Sequence, residues 1–286
     1  MLPNAFIIGV QKSGTTFLAH LLMQHPDICF SKKKELHFFS KEHNRKKGMD
    51  FYEKCFEPYN GEKVIMEGTP GYMASEMAMK DISDSLGSDM KILVIMRDPV
   101  KRLVSQYRMR YSIGGERRSL DDAVSHFLSV DRTDFRNYIN RGLYYDQLKM
   151  VEKYFPKENI NVSVFEDFIS NPAGKIKDIL DFLGVDCKFE FNFESGRNPG
   201  RNSKPNLLGR LFYLLPRLLR YKYLSSLSAE GKSRFFKLIL SKNKKLEHGE
   251  ISDDNMEKLR ELYKPQIDKL EIEYGLDLSC WDSIKK

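Results

Sequence analysis

The stretch that most narrows the possible folds is FIIGVQKSGTTFLAHLL, residues 6–22 of a 286-residue chain. A short apolar run stops at Gly9, a second glycine follows at Gly14, and apolar residues then recur at helical spacing through Leu22. A strand that turns directly into a helix is the opening unit of a βαβ arrangement, in which parallel strands alternate with helices packed on the sheet. Glycines bracketing such a turn let successive backbone N–H groups and the helix N-terminus face an anion. The spacing Gly9, four residues, Gly14 is that of a nucleoside-triphosphate loop, G-x-x-x-x-G-K-[ST], but Thr15 stands where the lysine belongs. The lysine is inside the loop instead, at Lys12. An ammonium there suits a single phosphate and the atom bridging it to a transferred group better than it suits a triphosphate. A plain tight turn before a helix would place the same two glycines.

The rest of the chain repeats the alternation. Strands are expected at Ala5–Val10, Ile28–Phe30, Val64–Glu67, Lys91–Met96 and Ile160–Phe165. Helices are expected near Thr15–Gln24, Ala74–Leu86, Pro99–Tyr111, Leu120–Leu128, Tyr144–Tyr154 and Pro172–Leu183. The order predicts an α/β fold: a phosphate-loop, three-layer domain with a central parallel sheet flanked by helices, single over 1–286. SGRNPGRNSKPN, 195–206, reads as a long loop. Residues 207–224 carry leucines at helical spacing with Arg210, Arg217 and Arg220 among them. That pattern fits a helix packed on the domain, a lid over an acceptor, or peripheral contact with a membrane surface.

A net charge of +7 suits an anionic ligand, and with no aromatic-interleaved RNA motif or zinc-finger spacing no nucleic-acid partner is expected. Cys29, Cys55, Cys187 and Cys280 are dispersed, without a C-x-x-C pair. That pattern points to a reducing, cytoplasmic setting and to neither zinc nor a disulfide scaffold. No run of about 18 apolar residues and no secretory leader is visible.

The strand KILVIMRDP ends on Arg97 where a magnesium-linked aspartate would be expected, and Asp98-Pro99 is accounted for as a helix start. Arg97 at the carboxyl end of a central strand points toward the crevice where open α/β sheets bind ligands. Ser105, two turns into the next helix, is suited to clamp a second phosphate with it. Together QKSGTTFL and RDPVKRLVSQY resemble the two nucleotide signatures of sulfotransferases that use 3′-phosphoadenosine 5′-phosphosulfate. The resemblance implies that Gln11, Lys12, Ser13, Gly14, Thr15 and Thr16 cradle the 5′-phosphosulfate, that Arg97 and Ser105 bind the 3′-phosphate, and that transfer needs no metal. The C-terminal LRELYKPQIDKLEIEYGLDLSCW is similar to the closing helix and terminal tryptophan of bacterial members.

Sulfuryl transfer requires a base for the acceptor proton and a cation for the leaving phosphate. In KKKELHFFS, Glu35 and His37 would share one face if the segment is extended. The segment is similar to the E-x-H-F-F of heparan sulfate sulfotransferases, which implies Glu35 as base and His37 as its partner, with the reverse assignment open. A solvated glutamate beside a half-buried histidine is the plainer reading. VIMEGTPGYM resembles an E-K-T-P-x-Y wall motif of that branch, with Glu67, Thr69 and Tyr72 as acceptor-side residues, but Gly68 replaces its lysine. Either Lys12 carries more of the charge here, or a basic residue from elsewhere substitutes. RNYINRGLYYDQL resembles an R-x-x-Y segment, placing Arg141 near the acceptor and Tyr144 near the nucleotide. The 195–206 loop is similar to a P-R-S-K segment, making Arg201, Ser203 and Lys204 candidates for the 3′-phosphate. The basic runs Lys32–Lys34 and Arg45–Lys47 are suited to guide an anionic acceptor or simply to face solvent. The expected partner is a small-molecule or glycan acceptor with a hydroxyl group. A magnesium-dependent nucleotide kinase or ATPase, and a non-catalytic nucleotide-binding adaptor, are the alternatives.

Overall fold

The computed structural model describes residues 1–112, 114–130, 137–194, 203–205, 240–245 and 249–285, with Phe212, Leu219, Tyr223, Gly231 and Phe235 between them. In chain order the strands are β1 (Ala5–Gly9), β2 (Ile28–Phe30), β3 (Val64–Gly68), β4 (Lys91–Met96), β5 (Ile160–Val164), β6 (Ser203–Pro205) and β7 (Leu240–Lys245). The helices are α1 (Thr15–Leu22), α2 (Glu42–Arg45), α3 (Met49–Glu53), α4 (Glu76–Leu86), α5 (Pro99–Ser112), α6 (Leu120–Ser129), α7 (Tyr144–Val151), α8 (Phe165–Ser170), α9 (Pro172–Leu183), α10 (Asp253–Tyr274) and α11 (Asp282–Lys285). They fall into two compact units, one made of 1–102, 140–198 and 260–286, the other of 103–139 and 199–259.

The first unit is built on a parallel sheet in the order β2-β3-β1-β4-β5. From β1 the chain winds out to β2 and β3 on one side, then crosses to β4 and β5 on the other. The reversal falls between β1 and β4, which is where a ligand crevice opens at the carboxyl ends of the strands. The central strands β1 and β4 are near-continuous apolar runs because both faces are covered. Ala5 and Ile7 of β1, Val64 and Met66 of β3, and Leu93 and Ile95 of β4 pack with Phe17, Leu18, Leu21 and Leu22 of α1 and with Ile176, Ile179, Leu180 and Leu183 of α9. The alternate residues Phe6, Ile8, Ile92, Val94 and Met96 are buried on the opposite face. There α4 packs on α7, and Tyr145 of α7 donates to Glu273 of α10 at 2.6 Å.

Helix boundaries follow capping chemistry. Ser75 accepts the amide of Ala78 at 3.2 Å, so α4 starts at Glu76 rather than at Ala74. Asn171 accepts the amide of Gly174 at 3.0 Å with Pro172 in the first turn, and Gly184 at φ 72° ends α9. β5 stops at Val164 because Phe165 already belongs to α8, whereas the sequence pattern carried the strand one residue further.

In the second unit, β6 and β7 form an antiparallel pair. Ser203–Pro205 therefore belong to a strand, not to the loop expected over 195–206; the rest of that loop lies outside the described residues, as does nearly all of 207–224. Asn255 of α10 donates to Asp121 at 2.6 Å and to Ser125 at 2.8 Å, fixing the start of α10 to α6. No described helix is long and apolar enough to cross a membrane.

The molecule's single tryptophan braces the first unit from late in the sequence. Trp281 is fully buried, stands edge-on to Tyr144 at 5.8 Å, and donates its Nε1–H to Glu166 Oε2 at 3.1 Å. Trp281→Phe keeps most of the packing and strips a partly buried carboxylate of a donor. It is expected to lower the unfolding free energy by about 1–3 kcal/mol, read from urea denaturation at unchanged slope. A loss below about 0.5 kcal/mol, the scale of an ordinary surface substitution, would show that the indole N–H contributes nothing.

Candidate active site

The two glycines of the first loop are needed for different reasons. A β-carbon on Gly9 would lie 2.6 Å from Met73 Sδ, so β1 ends where the turn after β3 presses against it. Gly14 sits at φ 86°, and a β-carbon there would lie 2.6 Å from the ring of Phe165. Between them Lys12 is held at φ 77°, an uncommon conformation for a residue with a side chain.

The loop has the features of an anion cradle. α1 begins with no side-chain cap, which leaves its first amides turned into the loop. The Ser13 side chain is fully buried, and its Oγ has no hydrogen-bond partner among the described residues. A buried hydroxyl without a partner costs free energy that a bound oxyanion would recover. Thr15 is buried, while Gln11 and Thr16 are half-buried at the same turn.

The second junction supplies another cation. Arg97 follows β4, and its guanidinium reaches 3.4 Å from the Lys12 carbonyl oxygen, 4.9 Å from the Phe165 ring and 3.9 Å from Glu166 Oε1. Burial, with Arg97 and then Arg102 nearby, lowers the Lys12 ammonium pKa, while Glu35 opposes the shift. Tyr144 is buried and donates its hydroxyl to the Arg97 carbonyl at 2.8 Å. It therefore supports the backbone of the arginine. Asp98 caps α5 by accepting the amides of Val100 and Lys101 at 2.9 and 3.0 Å. Ser105 is half-buried on the stretch of α5 that belongs to the second unit. Arg141 is half-buried in a single turn at Asn140–Gly142.

Glu35 and His37 meet, but not along an extended segment. Both adopt positive φ, 61° and 52°, so the chain coils, and the coil brings Glu35 Oε2 to 3.7 Å from His37 Nε2. That separation is longer than a hydrogen bond. The coil is stitched to the end of β3: the Glu35 amide donates to the Gly68 carbonyl at 3.0 Å, and the His37 amide to Thr69 Oγ1 at 3.3 Å. Lys34 Nζ donates to Glu35 Oε1 at 3.1 Å. The His37 ring outweighs the opposing effect of burial and, with Lys34, holds the Glu35 carboxyl down at about 2.

Glu67, Thr69 and Tyr72 are placed differently from the expectation that they face an acceptor. All three are fully buried. Glu67 accepts from Tyr52 at 2.5 Å, from Thr69 at 2.6 Å and from Tyr72 at 2.9 Å, and burial still raises its pKa against these bonds. Phe38 stacks on Tyr52 at 4.4 Å and Phe39 meets Tyr72 edge-on at 6.0 Å. These residues form the wall behind Glu35 and His37, not its surface. The basic runs are largely paired: Lys32 with Glu57, Arg45 with Asp81, and Lys46 with Glu42 at 2.8 Å. Arg201 lies outside the described residues, and Ser203 and Lys204 are described only as backbone in β6. Sequence reasoning passed over Phe165, Glu166 and Met73, whose contacts come from strands distant in the chain and carry no local pattern.

A parallel sheet with an anion-accepting loop after its first strand defines an α/β class whose members bind phosphorylated ligands at the carboxyl ends of the strands. Within that class, residues 2–198 match the sulfotransferase domain, and the chain belongs to the sulfotransferase family. It is 32% identical over 219 residues to heparan sulfate glucosamine 3-O-sulfotransferase 3B1 of Mus musculus, covering 73% of this chain and 55% of that protein. The human protein of that name is 30% identical over 270 residues, covering 92% and 61%. The chain thus spans little more than half the length of these relatives. A sulfotransferase from Alicyclobacillus acidocaldarius shares the fold with a TM-score of 0.70 over 99% of both chains, at 24% identity.

The low value for Glu35 fixes the sign of a pH effect. A carboxyl held below its ordinary 4.5 stabilises the fold fully above that pH and loses this contribution as pH falls toward 2. The gap in thermal midpoint between the wild type and Glu35→Gln is expected to be widest above pH 4.5 and to close through that window. A gap independent of pH would show that His37 and Lys34 do not hold the carboxylate.

Proposed function

We propose that the protein transfers a sulfuryl group from 3′-phosphoadenosine 5′-phosphosulfate to a hydroxyl group of a carbohydrate. The observation that carries the reading is the meeting of two cations and a carboxylate at the open end of the sheet: Lys12 and Arg97 on adjacent strand-to-helix junctions, with Glu35 close enough to act on the Lys12 ammonium. The nucleotide donor fits the loop because Ser13 Oγ and the uncapped start of α1 both lack partners that an oxyanion would provide. The names of the mouse and human relatives, which act on the glucosamine of heparan sulfate, support a carbohydrate acceptor.

When bound, the donor supplies an activated sulfur–oxygen bond to a phosphate that is a good leaving group. In this reading the loop amides, Ser13, Thr15 and Thr16 hold its 5′ end, and Arg97 holds the 3′-phosphate. Glu35 takes the acceptor proton as the acceptor oxygen bonds to sulfur. Lys12 stabilises the phosphate oxygen that receives the electron pair of the broken bond. His37 orients the carboxylate and is itself fixed through Ser40 at 3.3 Å.

Titrating the purified protein with 3′-phosphoadenosine 5′-phosphate without magnesium is expected to raise its melting temperature. Ligand at 100 times its dissociation constant adds about 2.7 kcal/mol to the folded state. Lys12→Ala with Arg97→Ala should abolish the response, and stabilisation by magnesium ATP alone would overturn the reading. With radiolabelled donor and a heparan sulfate oligosaccharide, Glu35→Gln is expected to slow label transfer about 10²–10⁴-fold while leaving the melting response intact. Equal rates in the two proteins would remove Glu35 as the base.

A further inference from the structure

Gly68 ends β3 at the foot of the Glu35 segment, and nothing in its own backbone calls for glycine. Its φ is not in the left-handed region. A β-carbon there would meet Ile7 Cβ, Ile7 Cδ1 and Lys34 Cε, each at 3.9 Å, which is ordinary van der Waals contact. The neighbouring Glu67 and Thr69 are buried side chains, so the bare Cα is a gap in an otherwise filled wall. Across this gap runs the aliphatic stem of Lys34.

The three lysines of the run 32–34 do not behave alike. Lys32 extends into solvent to pair with Glu57 and its side chain is 51% exposed, whereas that of Lys34 is 17% exposed and turns inward. Its ammonium ends 3.1 Å from Glu35 Oε1, and the Glu35 amide is tied to the Gly68 carbonyl. A four-carbon stem packs along apolar surface while its charged end reaches a partner. At position 68 that surface is the buried Cα, which carries no side chain, and the side of Ile7.

We propose that Lys34 is a positioning residue of the transfer site: its stem lies across the side-chain-free face of Gly68, and its ammonium, 3.1 Å from Oε1, aims the Glu35 carboxylate. The inference rests on the reading of Glu35 as the proton acceptor. The charged and titratable groups facing that carboxylate are Lys34 and His37 from its own segment and Lys12 from the loop after β1. Lys34 makes a hydrogen bond to it at 3.1 Å. A lysine placed at position 68 would start in van der Waals contact with the Lys34 stem, its β-carbon 3.9 Å from Lys34 Cε, so the ammonium can be delivered to Glu35 from either residue.

The test compares the full chain with Lys34→Met and with Lys34→Met, Gly68→Lys. The Glu35 carboxyl is followed by carbon NMR on protein labelled at glutamate, its signal assigned by its loss in Glu35→Gln. In Lys34→Met the carboxyl is expected to titrate at a higher pH than in the wild type, and in the double variant to return toward it. The acid limb of kcat/KM for label transfer should move in the same direction and recover in the same variant. The melting response to 3′-phosphoadenosine 5′-phosphate should be unchanged in all three proteins. An unmoved titration in Lys34→Met overturns the role of Lys34, and Lys34→Gln gives the same decision if the methionine variant does not fold. A shift that Gly68→Lys fails to reverse overturns the role assigned to Gly68. Absence of a nucleotide response in the wild type counts against the sulfotransferase reading instead, since the carboxyl titration decides the Lys34 pairing without any nucleotide.

Discussion

Two like charges, Lys12 and Arg97, are held together at the carboxyl ends of adjacent strands, and most of what surrounds them makes that arrangement tolerable. Cations in a partly desolvated crevice repel more strongly than they would in water. Burial first, and then the neighbouring Arg97, lowers the Lys12 ammonium pKa. The compensation comes from several directions: the face of Phe165 and the carboxylate of Glu166 beside Arg97, and Glu35 acting on Lys12. Glu166 is in turn held by the Asp98 amide at 3.3 Å and by the Trp281 indole. Burial raises its pKa, which those donors and Arg97 oppose. The charges are thus balanced in pairs rather than neutralised as a set. An anion entering the loop meets cations and partnerless donors that are already in place, which is the preorganisation that electrostatic catalysis depends on.

Much of this was legible in the sequence because it is locally encoded. The five strands, their order relative to the helices and the phosphate-type loop follow from apolar periodicity, from two glycines and from the Asp98-Pro99 helix start, all read within a few residues. The loop lysine and Arg97 were placed at neighbouring junctions for the same reason. What was missed depends on contacts between distant segments. Glu35 and His37 were brought together in the expected pair, but by two left-handed residues rather than by an extended strand. Single-sequence patterning has no term for that, because neither residue favours the conformation and the surroundings impose it. Glu67, Thr69 and Tyr72 share a motif whose spacing says that they cluster. It does not say that Tyr52 arrives from another segment and seals the cluster from solvent.

Lys34 shows the same limit in a smaller compass. Within KKKELHFF it is one of three adjacent lysines with the same composition and local charge. That Lys34 turns inward, over Gly68 and toward Glu35, depends on a segment far along the chain. The two phenylalanines that follow His37 were read only as part of a motif. In the fold they anchor the coil, Phe38 stacking on Tyr52 and Phe39 meeting Tyr72 edge-on, which gives Glu35 and His37 a fixed backing.

The Trp281–Glu166 contact also has a consequence in time. The two residues are 115 positions apart, and β5 of the central sheet is complete before Glu166 is reached. At roughly 5–20 residues per second, a ribosome needs on the order of ten seconds to add the intervening chain. Throughout that interval the sheet can assemble while the carboxylate beside Arg97 still lacks its indole donor. The Arg97 end of the crevice is therefore set late in biosynthesis, after the framework that carries it.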